Sequence, residues 1–232
     1  MQTKDEAYKF LGDLQTYLND YLSEKIEIAS NIDKIINDDE YRISDKQDAF
    51  SVLVTPYIHE FLCEYGMSSA RARDLFLSEM HGQISKLVGG PVSRFDGHPF
   101  TKNDIRIKPN AIMDRWRGPK RGRSCPRPCP DMAFRSPYKV VFEVKYFRQN
   151  QSGSADSELV KGIYEAFFYR SLPFIPETLG RAAWDYDYSC FLAYDATMEG
   201  NLLEAWNSLD TNVRKGFWDG ANIYVMILRS RK

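Results

Sequence analysis

Two residues of opposite charge stand two positions apart in the segment that is most strongly patterned as a β-strand. This segment runs from Lys139 to Phe147 and consists largely of β-branched and aromatic residues. Because side chains alternate between the two faces of a strand, Glu143 and Lys145 share one face, with apolar residues beside them. Burying a charge is costly unless it is paired or bound to a ligand. The two side chains are therefore candidates for chemistry.

A second carboxylate, Asp131, follows Pro130 and precedes Glu143 by twelve residues. The turn residues Ser136-Pro137 allow a short strand, predicted at 131–134, to fold back against the strand that carries Glu143. Two adjacent carboxylates repel each other, and a divalent cation such as Mg²⁺ relieves that repulsion through oxygen ligands. Such an ion can activate water and stabilise charge on a phosphate. A neighbouring lysine can orient that water or help to deprotonate it.

The run Pro130-Asp131, followed by Glu143-Val144-Lys145, resembles the PD-(D/E)xK signature of restriction-type endonucleases and related repair and recombination nucleases. The resemblance implies that Asp131, Glu143 and the carbonyl group of Val144 bind Mg²⁺, with Mn²⁺ as an alternative. It also implies that Lys145 assists the attacking water. The expected reaction is metal-dependent hydrolysis of DNA phosphodiester bonds, and the size of the chain is similar to that of type II restriction endonucleases, which commonly act as homodimers.

Many members of this superfamily add an acidic residue from a helix that precedes the core strands. In this sequence Glu60 is the candidate, with Glu64 one turn later as its substitute. The resemblance also implies that a helix after the motif packs beside the site. The corresponding segment, 155–172, offers Lys161 and Tyr164, which lie three residues apart and so share one side of a helix.

The most basic part of the chain lies directly before Asp131, between residues 115 and 127. Guanidinium groups beside a metal site are suited to gripping a phosphate backbone, and a tryptophan can stack on a base. A solvated basic loop, or one paired with the acidic amino-terminal helices, is the alternative explanation. The candidate DNA-binding residues are Arg115, Trp116, Arg117, Lys120, Arg121, Arg123 and Arg127.

Cys125 and Cys129 frame the same basic segment and raise the question of zinc. Structural zinc sites generally need four Cys or His ligands, supplied as two pairs. The three histidines of the chain, His59, His81 and His98, do not form a paired motif. Thiols that bind no metal are therefore the favoured interpretation of the two cysteines.

The elements that position these residues fall into two regions. Residues 1–90 are predicted to be helical, because apolar residues such as Leu11, Leu14 and Leu18 recur at spacings of three and four. Residues 91–232 are predicted to hold the nuclease core, with the Arg-rich insertion at 115–127. The expected strands are 104–108, 131–134, 139–147, 188–194 and 222–228, and the expected helices are 155–172 and 202–209.

This order of elements predicts an α/β (α+β) fold with a mixed central β-sheet flanked by helices. The resemblance implies, more specifically, a restriction-endonuclease-like core. Within the helical region, a break is expected at 37–39, a second helix at 46–65, and a third from Ser68 or Ser69 to about residue 89.

Bulk properties set the remaining expectations. The net charge is -1, with 43% hydrophobic and 27% charged residues, so basic surface must come from local clustering. The start of the chain has no long apolar run, and no stretch approaches the roughly 18 apolar residues of a membrane span. A cytoplasmic protein with DNA as its partner is expected. Two alternatives stay open: a catalytically silent DNA-binding module of the same fold, and a helical protein-interaction domain with an accidental motif.

Overall fold

The computed structural model describes residues 3–25, 28–37, 46–65, 131–134, 137–148, 154–171 and 186–229. Several predictions concern residues outside these ranges: the third helix of the amino-terminal region, the strand at 104–108, the basic segment at 115–127 and both of its cysteines. The predicted boundary near residue 90 also lies outside the described residues.

Three helices form the described amino-terminal region: α1 (Lys4–Lys25), α2 (Ile28–Asn37) and α3 (Lys46–Glu64). A capping box starts α1, since the Glu6 N–H donates to Thr3 Oγ1 at 3.2 Å and the Thr3 N–H donates to Glu6 Oε2 at 2.7 Å. α2 is described as far as Asn37, and residues 38 and 39 of the predicted break lie outside the described residues. The second predicted helix, 46–65, matches α3 to within one residue.

Within the described residues, four strands form one sheet in the order β1 (Met132–Phe134), β2 (Val140–Phe147), β3 (Tyr188–Asp195) and β4 (Ile223–Leu228). β1 is antiparallel to β2, with Met132 opposite Phe142, whereas β2, β3 and β4 are parallel. The predicted mixed sheet with flanking helices is therefore confirmed. Because the connections between parallel strands must cross over the sheet, helices follow both β2 and β3.

Three further helices accompany these strands: α4 (Ala155–Ser171), α5 (Asn201–Ser208) and α6 (Thr211–Ala221). The sequence predicted only one helix between the last two strands. α6 was missed because Gly216 and Gly220 weaken its helical propensity. Asp210 caps its start, with a carboxylate that accepts a hydrogen bond from the Asn212 N–H at 2.7 Å, and Asn222 caps its end in the left-handed conformation.

Helices cover the two faces of the sheet. α1 and α3 pack on the face formed by Val140, Phe142, Val144 and Tyr146 of β2 and the matching residues of β3. α4 and α5 pack on the opposite face, where Phe147, Phe191, Ala193 and Ile227 join Leu159, Ile163 and Leu202 in a second core. Glu143 and Lys145 belong to this second face, beneath α4.

None of the helices in the described ranges has the length and apolar character needed to cross a membrane.

Candidate active site

The hairpin of β1 and β2 brings Asp131 beside the predicted motif. The Asp131 N–H donates to the Phe142 carbonyl oxygen at 3.1 Å, and its carboxylate Oδ2 accepts from the Val144 N–H at 2.7 Å. The N–H and C=O groups of one strand residue point to the same side. The carbonyl group of Val144 is therefore also directed toward the β1 edge, where Asp131 lies. The two halves of the predicted motif meet at this edge.

Glu143 and Lys145 lie on β2, between β1 and β3, and are only 2% and 9% exposed. They share one face of the strand, as the alternation of the sequence predicted. The Lys145 ammonium group donates to Oε1 of Glu143 and forms an ion pair with it. An ion pair on a surface hairpin, the alternative to a catalytic role for these two residues, agrees with their pairing but not with their burial.

A third carboxylate comes from α4 and was not predicted. Oε2 of Glu165 lies 2.7 Å from the Lys145 Nζ atom, so the ammonium group is held between carboxylates of the strand and the helix. The sequence did carry a signal. Glu165 lies between Ile163 and Ala166, both buried, and so on the margin of the inward-facing helix surface. The expected contributor Tyr164 is instead 63% exposed.

The surroundings of Glu143 favour its neutral form. Burial raises the pKa of this carboxyl group well above its ordinary value, and repulsion by Asp131 and Glu165 raises it further, against the lowering effect of Lys145. The cluster therefore places more negative charge around Glu143 than one ammonium group neutralises. A site of this kind gains stability from an additional cation.

Lys145 and Glu165 are both shifted toward their charged forms. Burial alone would lower the pKa of Lys145, but the charges of Glu143 and Glu165 and the hydrogen bonds to them raise it above its ordinary value. Burial would likewise raise the pKa of Glu165, but the hydrogen bond and the charge of Lys145 outweigh it and lower that pKa. Lys145 is consequently an ammonium ion at neutral pH.

Asp131, Glu143 and the Val144 carbonyl group offer oxygen atoms, the kind of donor that a hard cation takes. Mg²⁺ is commonly held by one or two carboxylates, with water completing its shell. Within the described part of the chain, no three His, Cys, Asp or Glu side chains are grouped closely enough to form a metal site by themselves. The physical reason is that Glu143 and Glu165 are both directed at Lys145, while Asp131 binds Val144.

Glu60 and its substitute Glu64 lie elsewhere, which corrects the expectation that one of them joins the site. α3 packs on the opposite face of the sheet from Glu143 and Lys145. Glu60 is exposed, and its charge acts on the hydroxyl group of Tyr17 in α1. Glu64 is also exposed and lines a surface groove with Asp13 and Tyr17. The acidic residue contributed by a helix is Glu165, from the opposite layer.

Asp195 is a second buried carboxylate at the same end of the sheet, but it has a structural role. It ends β3 opposite Phe147 and is 1% exposed. One oxygen accepts from the N–H and the hydroxyl group of Thr197, at 3.0 and 2.6 Å. The other accepts from the N–H groups of Leu202 and Leu203 in α5, at 2.8 and 3.0 Å. Asp195 therefore caps α5, and the sequence did not predict this role.

The residues proposed to contact DNA, Arg115 to Arg127, lie outside the described residues. The interpretation of the site accordingly depends on the cluster of Asp131, Glu143, Lys145 and Glu165. Comparison of the chain with models of protein families, with curated proteins and with solved structures finds no match.

Proposed function

We propose that this protein is a metal-dependent endonuclease that hydrolyses DNA phosphodiester bonds. The observation that carries the proposal is the meeting of Asp131 with Glu143 and Lys145 on a buried strand, where carboxylates outnumber the single ammonium group. The element order supports a restriction-endonuclease-like core. A hairpin carries both halves of the motif, a helix follows it, and the next strand is parallel to the second strand of the hairpin.

In this proposal Asp131, Glu143 and the Val144 carbonyl group hold Mg²⁺ or Mn²⁺. The bound ion supplies an activated water and stabilises negative charge on the phosphate. The support for this assignment is electrostatic. Burial and the charge of Asp131 raise the pKa of Glu143, and a divalent cation at this edge would relieve the repulsion between the two carboxylates.

Lys145 is assigned an electrostatic and positioning role. Its ammonium group is paired with two carboxylates, those of Glu143 and Glu165, and such a group donates hydrogen bonds and does not accept a proton. An ammonium group can instead orient the attacking water by hydrogen bonding and offset charge on the phosphate. Of the two roles predicted from the sequence, orientation is therefore favoured over deprotonation.

DNA binding is assigned to the basic segment between Arg115 and Arg127, on the evidence of the sequence. Contacts between guanidinium groups and phosphates release counterions, so affinity should fall steeply with salt concentration. We further propose that the enzyme is of the type II restriction kind and acts as a homodimer, since a two-fold axis matches a palindromic site.

The test is to incubate purified protein with plasmid and phage DNA in Mg²⁺, Mn²⁺ or EDTA. The variants are Asp131→Ala and Lys145→Ala, with Glu204→Gln as a control, because Glu204 is an exposed glutamate of α5. We expect metal-dependent cleavage by the wild type and the control, and loss of at least about 100-fold in both site variants. Discrete fragments support the restriction subtype, whereas a smear contradicts it.

A catalytically silent DNA-binding module is the second candidate, because Lys145 already compensates much of the charge on Glu143 and Glu165. It predicts salt-sensitive DNA binding with no cleavage in either metal. Absence of both cleavage and binding would instead favour the protein-interaction domain, and the motif would then be accidental.

A further inference from the structure

We propose that Glu165 is a positioning residue that holds the Lys145 ammonium group at the place where it serves the reaction. The inference rests on the proposed function and extends it to a residue outside the Asp131, Glu143 and Lys145 motif. It also assigns α4 a part in the site beyond packing on the sheet.

The Lys145 ammonium group forms ion pairs with carboxylates from two different elements. Glu143 lies two residues before Lys145 on the same strand. Its contact therefore restrains the ammonium group only in the direction of the strand. Glu165 reaches the same nitrogen from α4, with 2.7 Å between Nζ and Oε2. A lysine side chain has four rotatable carbon–carbon bonds and about 2 kcal/mol of rotamer entropy. Contacts from two different elements restrict the nitrogen far more than one contact from its own strand.

The ion pair between Lys145 and Glu165 is largely shielded from solvent. The Lys145 side chain is 11% exposed and that of Glu165 is 27% exposed. Solvent therefore screens this pair less than it screens a surface pair. Glu165 still has a solvent-facing part, which places it at the rim of the site rather than beneath it.

Close packing against β3 fixes the position of α4 on the sheet. Gly162 of α4 lies against the ring of Phe191 on β3, and a β-carbon built at Gly162 would overlap that ring. α4 thus approaches the sheet at a distance that only glycine permits. Glu165 lies three residues later, so the depth of the helix sets the reach of its carboxylate to Lys145.

The kinetic test compares Glu165→Gln, Glu165→Asp and the control Glu204→Gln in the DNA cleavage assay. For Glu165→Gln we expect kcat to fall about 10- to 100-fold, the cost of a displaced catalytic group. The KM for DNA and the Mg²⁺ concentration for half-maximal rate should stay unchanged. Glu165→Asp, which retains the charge, should recover part of the rate. Full activity restored by excess Mg²⁺ would instead make Glu165 a metal ligand and overturn the inference.

A second measurement does not depend on cleavage. Acetic anhydride modifies exposed lysines, and mass spectrometry reports the rate at each residue. We expect Lys145 to react several-fold faster in Glu165→Gln than in the wild type, while Lys9 and Lys215, both exposed, serve as internal references. An unchanged rate at Lys145 would overturn the inference, whatever the DNA assay gives. Absence of wild-type cleavage would overturn the proposed function alone.

Discussion

The Nζ atom of Lys145 on β2 lies 2.7 Å from the Oε2 atom of Glu165 on α4. The strand that carries the motif and the helix that follows it are thus joined by a partly buried ion pair. The same ammonium group also binds Glu143, so one lysine compensates two carboxylates. The stability of the fold and the charge balance of the site therefore depend on the same nitrogen atom.

Replacing Lys145 by Met removes that compensation and leaves buried carboxylates without a partner. We expect the free energy of unfolding to fall by about 3 kcal/mol at pH 8, the usual cost of breaking a buried pair. The loss should shrink toward pH 5, because Glu143, whose pKa is raised well above its ordinary value, becomes protonated as the pH falls. Urea unfolding at the two pH values measures this difference, and an equal loss at both would contradict it.

Glu143→Gln tests the raised pKa of Glu143. A carboxyl group whose pKa is higher in the folded state contributes stability that is complete below its ordinary value of 4.5 and is lost as pH rises through the folded pKa. In the wild type this contribution makes the fold less stable at pH 8 than at pH 4.5. Glutamine does not titrate, so the difference between the two pH values should be smaller in the variant. Chemical denaturation of both proteins at the two pH values measures this difference.

Gly162→Ala tests the close approach of α4 to β3. The added β-carbon overlaps the ring of Phe191, and we expect a loss of about 1 to 3 kcal/mol in the free energy of unfolding. Gly216→Ala is the matched control, because no atom lies near its β-carbon and alanine is the better helix former. The control should gain up to about 1 kcal/mol. Thermal unfolding that ranks the two variants equally would refute the contact.

Asp195→Ala separates the structural carboxylate from those of the proposed active site. It removes an acceptor of four hydrogen bonds at the start of α5, and we expect a loss of about 2 to 3 kcal/mol. Asp195→Asn keeps one oxygen and should lose less. Both variants should retain the metal requirement of cleavage, and a changed Mg²⁺ dependence would place Asp195 in the site instead.

The sequence by itself determined the elements whose signals are local. Alternation placed Glu143 and Lys145 on one face of β2, and the turn before β2 brought Asp131 back to Val144. The shared face depends on the two-residue period of a strand, and the return of Asp131 depends on the short connection between β1 and β2. The helices α1 and α3 were also predicted from a local signal, since their apolar residues repeat with the period of a helix.

Only the tertiary structure decided which helix supplies an acid to the motif. Glu60 and Glu165 both lie on predicted helices, and the apolar residues beside each of them do not tell which face of the sheet its helix covers. α3 covers the far face of the sheet and α4 covers the face of Lys145, so Glu165 reaches the ammonium group and Glu60 does not. The rotation and depth of a helix on a sheet depend on packing between distant residues, such as Gly162 against Phe191, and local periodicity carries no information about them.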